Sequence, residues 1–144
     1  MVRIRPSRAE DVPRLFEIWR DAVAATHGFL SDEDRDFFTA IVRDQYLPAT
    51  PFIVAVDKAD RPIAFLGMTG ARIDSLFVAP GQHGRGIGRR LIDHARGLHP
   101  QLSVDVNEQN RGAVAFYERM GFRRVGRSET DDSGHPYPLL HLEL

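Results

Sequence analysis

Between Leu76 and Arg90 the chain passes from an apolar run, Leu76-Phe77-Val78-Ala79-Pro80, through His83-Gly84-Arg85-Gly86-Ile87-Gly88. It then enters the helix-like Arg89-Arg90-Leu91-Ile92-Asp93-His94-Ala95. Strand, glycine-rich turn and helix start, in that order, build an anion site. Glycines allow the positive φ that turns N–H groups toward one point, and the helix start adds partial positive charge there. The stretch reads as a nest for a phosphate-bearing ligand. Its spacing departs from both familiar nucleotide loops. Gly81 and Gly86 have the separation of a Walker A loop, but Ile87 stands where that loop needs lysine. Counted from Gly84 and Gly86, the third glycine of a dinucleotide fingerprint would fall on Arg89. What remains is Gly-x-Gly-x-Gly opening a basic helix, with Arg85, Arg89 and Arg90 near the turn.

At 144 residues the chain is expected to form one domain, 1–144, able to bury a single core. A net charge of −1 argues against a nonspecific nucleic-acid binder, despite eighteen arginines against one lysine. The lack of cysteine excludes disulfides, thiolate metal sites and a cysteine nucleophile. The six histidines show no clustered ligand spacing, so no metal is expected. No apolar run approaches the ~18 residues of a membrane span, and Arg3 and Arg5 lie inside the first apolar pattern. The expectation is a cytoplasmic protein with neither membrane nor nucleic acid as partner.

Periodicity divides the chain into elements. Residues 2–5 alternate as a strand. Ser7, with Glu10 three residues on, reads as a capping box for a helix reaching toward Gly28. Ser31 and the acidic Asp32, Glu33 and Asp34 start a second helix that ends before Pro48. Strands are expected at 52–56, 62–67 and 71–78, followed by a helix over 86–98 and a strand over 102–106. Asn110 caps a helix through Met120, and Gly121 stops it. Segments 122–129 and 137–144 read as a closing strand pair. The result is an α/β domain with antiparallel pairs early and a strand-helix-strand unit in the middle. An exposed terminal strand would offer an edge for a homodimer.

The helix after Asn110 carries a second motif: Asn107-Glu108-Gln109-Asn110, then Ala113, Phe116-Tyr117 and Gly121-Phe122. With the glycine loop, it resembles the GNAT superfamily of acyl-CoA-dependent N-acyltransferases. That family pairs R/Q-x-x-G-x-G/A with a downstream N-x-x-A-x-x-F-Y-x-x-x-G-F helix, and the helix matches at every place. Ile4-Arg5-Pro6-Ser7, Glu10-Asp11 and Leu15 also look like the family's first strand and helix. Within the family, Ala25-Thr26-His27, Phe29-Leu30, Gly126-Arg127-Ser128-Glu129 and Pro136-Tyr137-Pro138 are similar to the small bacterial YjaB-type group. One departure is His83, which stands where the family usually has Arg or Gln.

The resemblance implies a mixed α+β fold. Its sheet would have six to seven mostly antiparallel strands, with a central splayed parallel pair (72–78 and 102–106) and about four helices. It implies acetyl-CoA as cosubstrate, with backbone groups of Leu76, Phe77 and Val78 completed by pantetheine. His83, Gly84, Arg85, Gly86, Ile87, Gly88 and Arg89 would surround the pyrophosphate, and Asn110 would bond the pantetheine arm. Tyr117 matches the family's acid position beside the cofactor, and a phenol of pKa about 10 can protonate a thiolate of similar basicity. Val78 N–H would serve the oxyanion. For the base, Asp105 and Asp74 are the candidates, and the imidazole of His27 is a further one. His27, Asn107 and Tyr137 would shape the acceptor site. The expected reaction is direct attack by a primary amine of a small amine, amino acid or peptide N-terminus. The alternative is a sensor that binds acyl-CoA without turnover.

Overall fold

The computed structural model describes residues 2–144. Its strands are β1 (Arg3–Pro6), β2 (Ile53–Val56), β3 (Pro62–Thr69), β4 (Arg72–Val78), β5 (Ser103–Asn107), β6 (Arg123–Ser128) and β7 (Leu139–Glu143). They form a seven-stranded sheet in the order β1-β2-β3-β4-β5-β7-β6. The β4–β5 pair is parallel, whereas β1–β2, β2–β3, β5–β7 and β6–β7 are antiparallel. The helices are α1 (Val12–Thr26), α2 (Asp32–Ile41), α3 (Leu47–Ala49), α4 (Ile87–Leu98) and α5 (Arg111–Arg119). A π-helical turn, Val42–Tyr46, joins α2 to α3, so these form one continuous helical stretch. No helix of the described residues is long and apolar enough to cross a membrane. Two compact units share the chain: one runs to Gly67 and resumes over Ser75–His94, the other takes Met68–Asp74 and Ala95–Leu144.

The first unit is built on the apolar stripe of α1. Leu15, Ile18, Trp19, Ala22 and Val23 recur at helical spacing and are buried. Leu15, Ile18, Trp19 and Val23 share a core with Leu47, Phe52, Val54, Val56, Phe65 and Ala79. The entry to α1 differs from the expected capping box at Ser7. Ser7 remains in the strand pairing: its N–H donates to Phe52 O, and its hydroxyl accepts from Phe52 N–H, both at 2.8 Å. Asp11 takes the capping task, its Oδ2 accepting Arg8 N–H at 2.8 Å ahead of the short 3₁₀ turn Ala9–Asp11. Arg5 grips the same carboxylate with two N–H groups, at 2.8 and 3.1 Å, and reaches Asp60 Oδ1 at 2.9 Å. That guanidinium holds the Asp11 carboxyl below the usual carboxylate range. A long-range backbone pairing thus captured the serine that local spacing assigned to the helix.

The second helix begins as its sequence requires, Ser31 Oγ accepting Asp34 N–H at 3.1 Å. It does not stop before Pro48. The π turn, with Leu47 N–H donating to Val42 O, carries the helical stretch on to Pro48, which falls in its last three residues. The same turn brings Tyr46 to Ser75 on β4, hydroxyl to hydroxyl at 2.7 Å. Gly67 makes the space: a Cβ there would lie 2.4 Å from the Tyr46 hydroxyl oxygen and 2.7 Å from Ser75 Oγ.

In the second unit the β5–β7 register pairs Val104 with Leu142 and Val106 with Leu140, all buried. By the two-residue period, Asp105 and its partner His141 point to the opposite face. β6 carries an irregularity between Arg124 and Gly126, with Val125 59% exposed. The terminal strand departs from expectation. β7 lies between β5 and β6, so it offers no free edge to a second copy; β1 and β6 are the edges. Alternating Leu140, His141 and Leu142 suits an edge or an interior strand equally, and the antiparallel return beside β5 decides the matter.

Candidate active site

In the first unit β4 ends at Val78, a 3₁₀ turn covers Pro80–Gln82, and the glycine loop leads into α4. Gly84 and Gly86 have φ of 80° and 73°, the left-handed region in which a side chain is strained. A Cβ at either would meet nothing within 4 Å, so the loop faces open space on that side. Arg90 N–H bonds Gly86 O at 3.1 Å, which begins the helical ladder. The amides ahead of it at the helix start have no helical acceptor and are free for a ligand. Ile87 is buried along with Leu91, Ile92 and Ala95, so its side chain anchors the helix and only its backbone serves the loop. Arg85 donates to Gln82 Oε1 at 2.7 Å and Arg90 to Val2 O at 2.6 Å, whereas Arg89 is exposed. His83 is exposed on extended backbone, φ −65° and ψ 152°, ahead of the first positive-φ glycine.

Leu76, Phe77 and Val78 are half-buried at the end of β4. The Phe77 ring lies 5.6 Å from Phe65 and 6.5 Å from His27, centre to centre. His27 closes α1, its N–H donating to Val23 O at 2.8 Å. Thr26 Oγ1 spends its only hydrogen on Ala22 O at 2.7 Å, so it must accept from His27 Nδ1, also at 2.7 Å. That bond assigns the proton to Nδ1 and leaves Nε2 with its lone pair. Burial, with the charge of Arg35 second, lowers the His27 pKa to about 4. The imidazole is therefore neutral at pH 7. Unfolded, it titrates near 6.5, so the unfolded chain binds more protons in the window between. Its contribution to stability is complete above pH 6.5 and is lost as pH falls toward 4. In His27→Gln, the drop in melting temperature between pH 7 and pH 4.5 should shrink by about 5 °C relative to the unsubstituted chain. An undiminished drop would remove His27 as a source of acid sensitivity.

In the second unit, both Asp74 oxygens are engaged, Oδ2 accepting from Thr69 at 2.5 Å and Oδ1 from Arg72 at 3.0 Å. The carboxylate braces the β3–β4 turn. The parallel register pairs Arg72 with Ser103 and Ile73 with Val104, so Asp105 is the first β5 residue beyond it. Asn110 Oδ1 accepts Ala113 N–H at 3.2 Å as the cap of α5, which leaves its amide N–H groups as donors. The other end of α5 explains the rest of the motif. Gly121, φ 102°, donates to Glu118 O, and Phe122 N–H donates to Tyr117 O, both at 3.0 Å. These two bonds are a Schellman motif, accompanied by its hydrophobic contact: the Tyr117 and Phe122 rings lie 5.2 Å apart. Tyr117 is thus held by the residues that end its own helix, and Phe116 packs edge-on at 5.2 Å. It is 6% exposed, and burial pushes its phenol above the ordinary tyrosine range, so it stands protonated as a donor. Asn107 is half-buried at the end of β5, and Tyr137 is buried. Glu108 N–H donates to Pro138 O at 2.9 Å, tying the segment of Asn107 to that of Tyr137.

Two polar residues of this unit escaped the sequence reading. His141 Nδ1 donates to Asp105 Oδ1 at 2.5 Å, and the Ser128 hydroxyl lies 2.7 Å from His141 Nε2. For His141 the available signal was alternation, Leu-His-Leu setting one polar side chain among apolar neighbours.

The glycine loop, with its two positive-φ residues, and the capped α5 helix carry the resemblance, and comparison with known proteins supports the same family. Residues 30–138 match the acetyltransferase (GNAT) domain family. The chain is 49% identical to the peptidyl-lysine N-acetyltransferase YjaB of Salmonella typhimurium, over 99% of this chain and 97% of that protein. It is 46% identical to the Escherichia coli protein of the same name, over 99% and 96%. The solution structure of apo-form YjaB from Escherichia coli matches with a TM-score of 0.94, at 46% identity over 99% and 97% of the two chains. A PaiA N-acetyltransferase from Thermoplasma acidophilum, solved in complex with coenzyme A, shares the fold at 22% identity. Its TM-score is 0.75, over 99% and 98% of the two chains. With a family match across most of its length and relatives alike from end to end, the chain belongs to the GNAT acetyltransferase family.

Proposed function

We propose that this protein transfers the acetyl group of acetyl-CoA to a primary amine, with a lysine side chain of a peptide or protein as the leading acceptor. Near full-length similarity to two peptidyl-lysine N-acetyltransferases carries the acceptor class. The residues themselves favoured a small amine, amino acid or peptide N-terminus and gave no sign of lysine. For the cosubstrate, the support is the glycine loop, whose two left-handed residues and free helix-start amides suit a pyrophosphate. In this reading His83 to Arg89 surround the diphosphate, and Leu76, Phe77 and Val78 offer backbone groups to pantetheine. The Asn110 amide donates to the same arm. A cytoplasmic setting is part of the proposal.

The chemistry then divides among the chain's own groups. The amine nitrogen forms a bond to the thioester carbon, Val78 N–H donates to the oxyanion, and the C–S bond breaks as Tyr117 protonates the sulfur. Proton removal from the amine belongs to the Asp105 side. His27, Asn107 and Tyr137 shape the acceptor's surroundings, and Asp74, with both oxygens engaged by Thr69 and Arg72, is the weaker candidate for the base.

The test is thiol release from acetyl-CoA with a lysine peptide, its lysine-blocked counterpart, polyamines and free amino acids. Release with the lysine peptide alone, with the acetyl group located on Nε by mass spectrometry, is the expected result. Release only with small amines would overturn the lysine assignment. Binding of desulfo-CoA without turnover on any amine would favour the sensor alternative.

A further inference from the structure

The polar face of β5, β7 and β6 holds a hydrogen-bonded chain of which the reaction as described uses only the Asp105 end. Asp105 and His141 are direct cross-strand partners, and His141 faces Gly126 on β6. A carboxylate only accepts, so the 2.5 Å contact with Asp105 Oδ1 places the proton on His141 Nδ1. Nε2 is left to receive the Ser128 hydroxyl hydrogen at 2.7 Å. Hydroxyl, imidazole and carboxylate in that order form an arrangement with a known use. The imidazole takes a proton through the hydroxyl, and the carboxylate holds the tautomer and stabilises the imidazolium.

Two local features build it. A Cβ at Gly126 would lie 3.3 Å from His141 Cδ2, so glycine leaves the ring room to lie across β6. The register shift between Arg124 and Gly126 changes which β6 side chains follow, and bulges re-aim side chains beside active sites. Beyond it, Ser128 reaches His141. Position and exposure also fit. Asp105 is the first residue of β5 past its parallel register with β4, and the Asp105 and His141 side chains are 32% and 33% exposed. The chain is therefore reachable, yet partly shielded from water.

We propose that Ser128, His141 and Asp105 form the proton-accepting relay for the acceptor amine, an inference that rests on the acetyltransferase reading above. The ammonium proton passes to Ser128 Oγ as the serine's own hydrogen moves to His141 Nε2. The products are a neutral amine and an imidazolium paired with the Asp105 carboxylate, and nothing but the proton changes place. Ser128 meets the amine, His141 is the base, and Asp105 is a positioning residue.

The test compares a lysine peptide with the same peptide carrying thialysine, whose amine is less basic and needs less help to lose its proton. His141→Gln and Asp105→Asn should each lower kcat/KM on the lysine peptide by roughly 100-fold, and clearly less on thialysine. Ser128→Ala should lower it and Ser128→Thr restore it. Desulfo-CoA affinity by calorimetry should stay unchanged throughout. Equal losses on both peptides, or none, overturn the relay. Should the variants fail to fold, nitrogen NMR of the unsubstituted chain decides: a neutral His141 protonated on Nε2 overturns the proposal. An unsubstituted chain that acetylates neither peptide overturns the acetyltransferase reading, and the relay with it.

Discussion

Gly86→Val should weaken desulfo-CoA binding by roughly 100-fold or more, read by calorimetry, and carry turnover down with it. Gly86 has φ of 73°, where an ordinary L-residue is strained by ~1–2 kcal/mol and a β-branched one is a genuine outlier. The substituted loop has two courses. It can keep its shape under strain, with a bulky side chain in the open space that the diphosphate needs. Or it can leave the left-handed region and turn the amides away. Both empty the nest. Gly86→Ala, with no branch, should fall between. Because Ile87, Leu91, Ile92 and Ala95 hold α4 in the core independently, the fold should survive. Unaltered affinity in Gly86→Val would show that this loop does not bind the diphosphate.

For Tyr117→Phe the expected result is a kcat about 100- to 1000-fold lower, with desulfo-CoA affinity changed less than about 3-fold. Phenylalanine keeps the ring contacts with Phe116 and Phe122 and the Schellman bonds at Gly121 and Phe122, so the change removes little beyond the acidic hydrogen. The loss should shrink with an acetyl thioester of more acidic thiol, because such a sulfur leaves without a proton. Burial holds this phenol protonated above the ordinary tyrosine range, so its ionisation should put no alkaline limb on the rate below that range. A rate that Tyr117→Phe leaves unchanged would take this residue out of the mechanism.

What could be read from the residues alone followed the range of the forces involved. The glycine loop and the Asn110-to-Phe122 helix were legible because caps, positive-φ glycines and helical spacing act within a few residues. The parallel β4–β5 pair followed from the strand-helix-strand order and the resemblance. Ser7 was misassigned because its hydroxyl had two suitors, a nearby helix start and the distant backbone of Phe52, and spacing registers only the first. Pro48 misled for a related reason. Proline commonly ends a helix ahead of itself, and the π turn that carries this one on to Pro48 has no local signature. Asp105 was singled out, but its partners His141 and Ser128 stayed hidden, because the Asp105–His141 contact depends on strand register and the Ser128 contact on an irregularity in β6. No periodicity within either segment specifies that pairing. Lysine as acceptor has no residue signature here; it came from the relatives.

The interior place of β7 bears on how this molecule comes into being. Five residues late in sequence stitch β5 to β6, so the second unit's strands cannot close until Leu139–Glu143 has been made. Until then, β5 and β6 each present a bare row of amides and carbonyls to whatever drifts by. The glycine loop lies upstream, in the other unit, and is not subject to that delay.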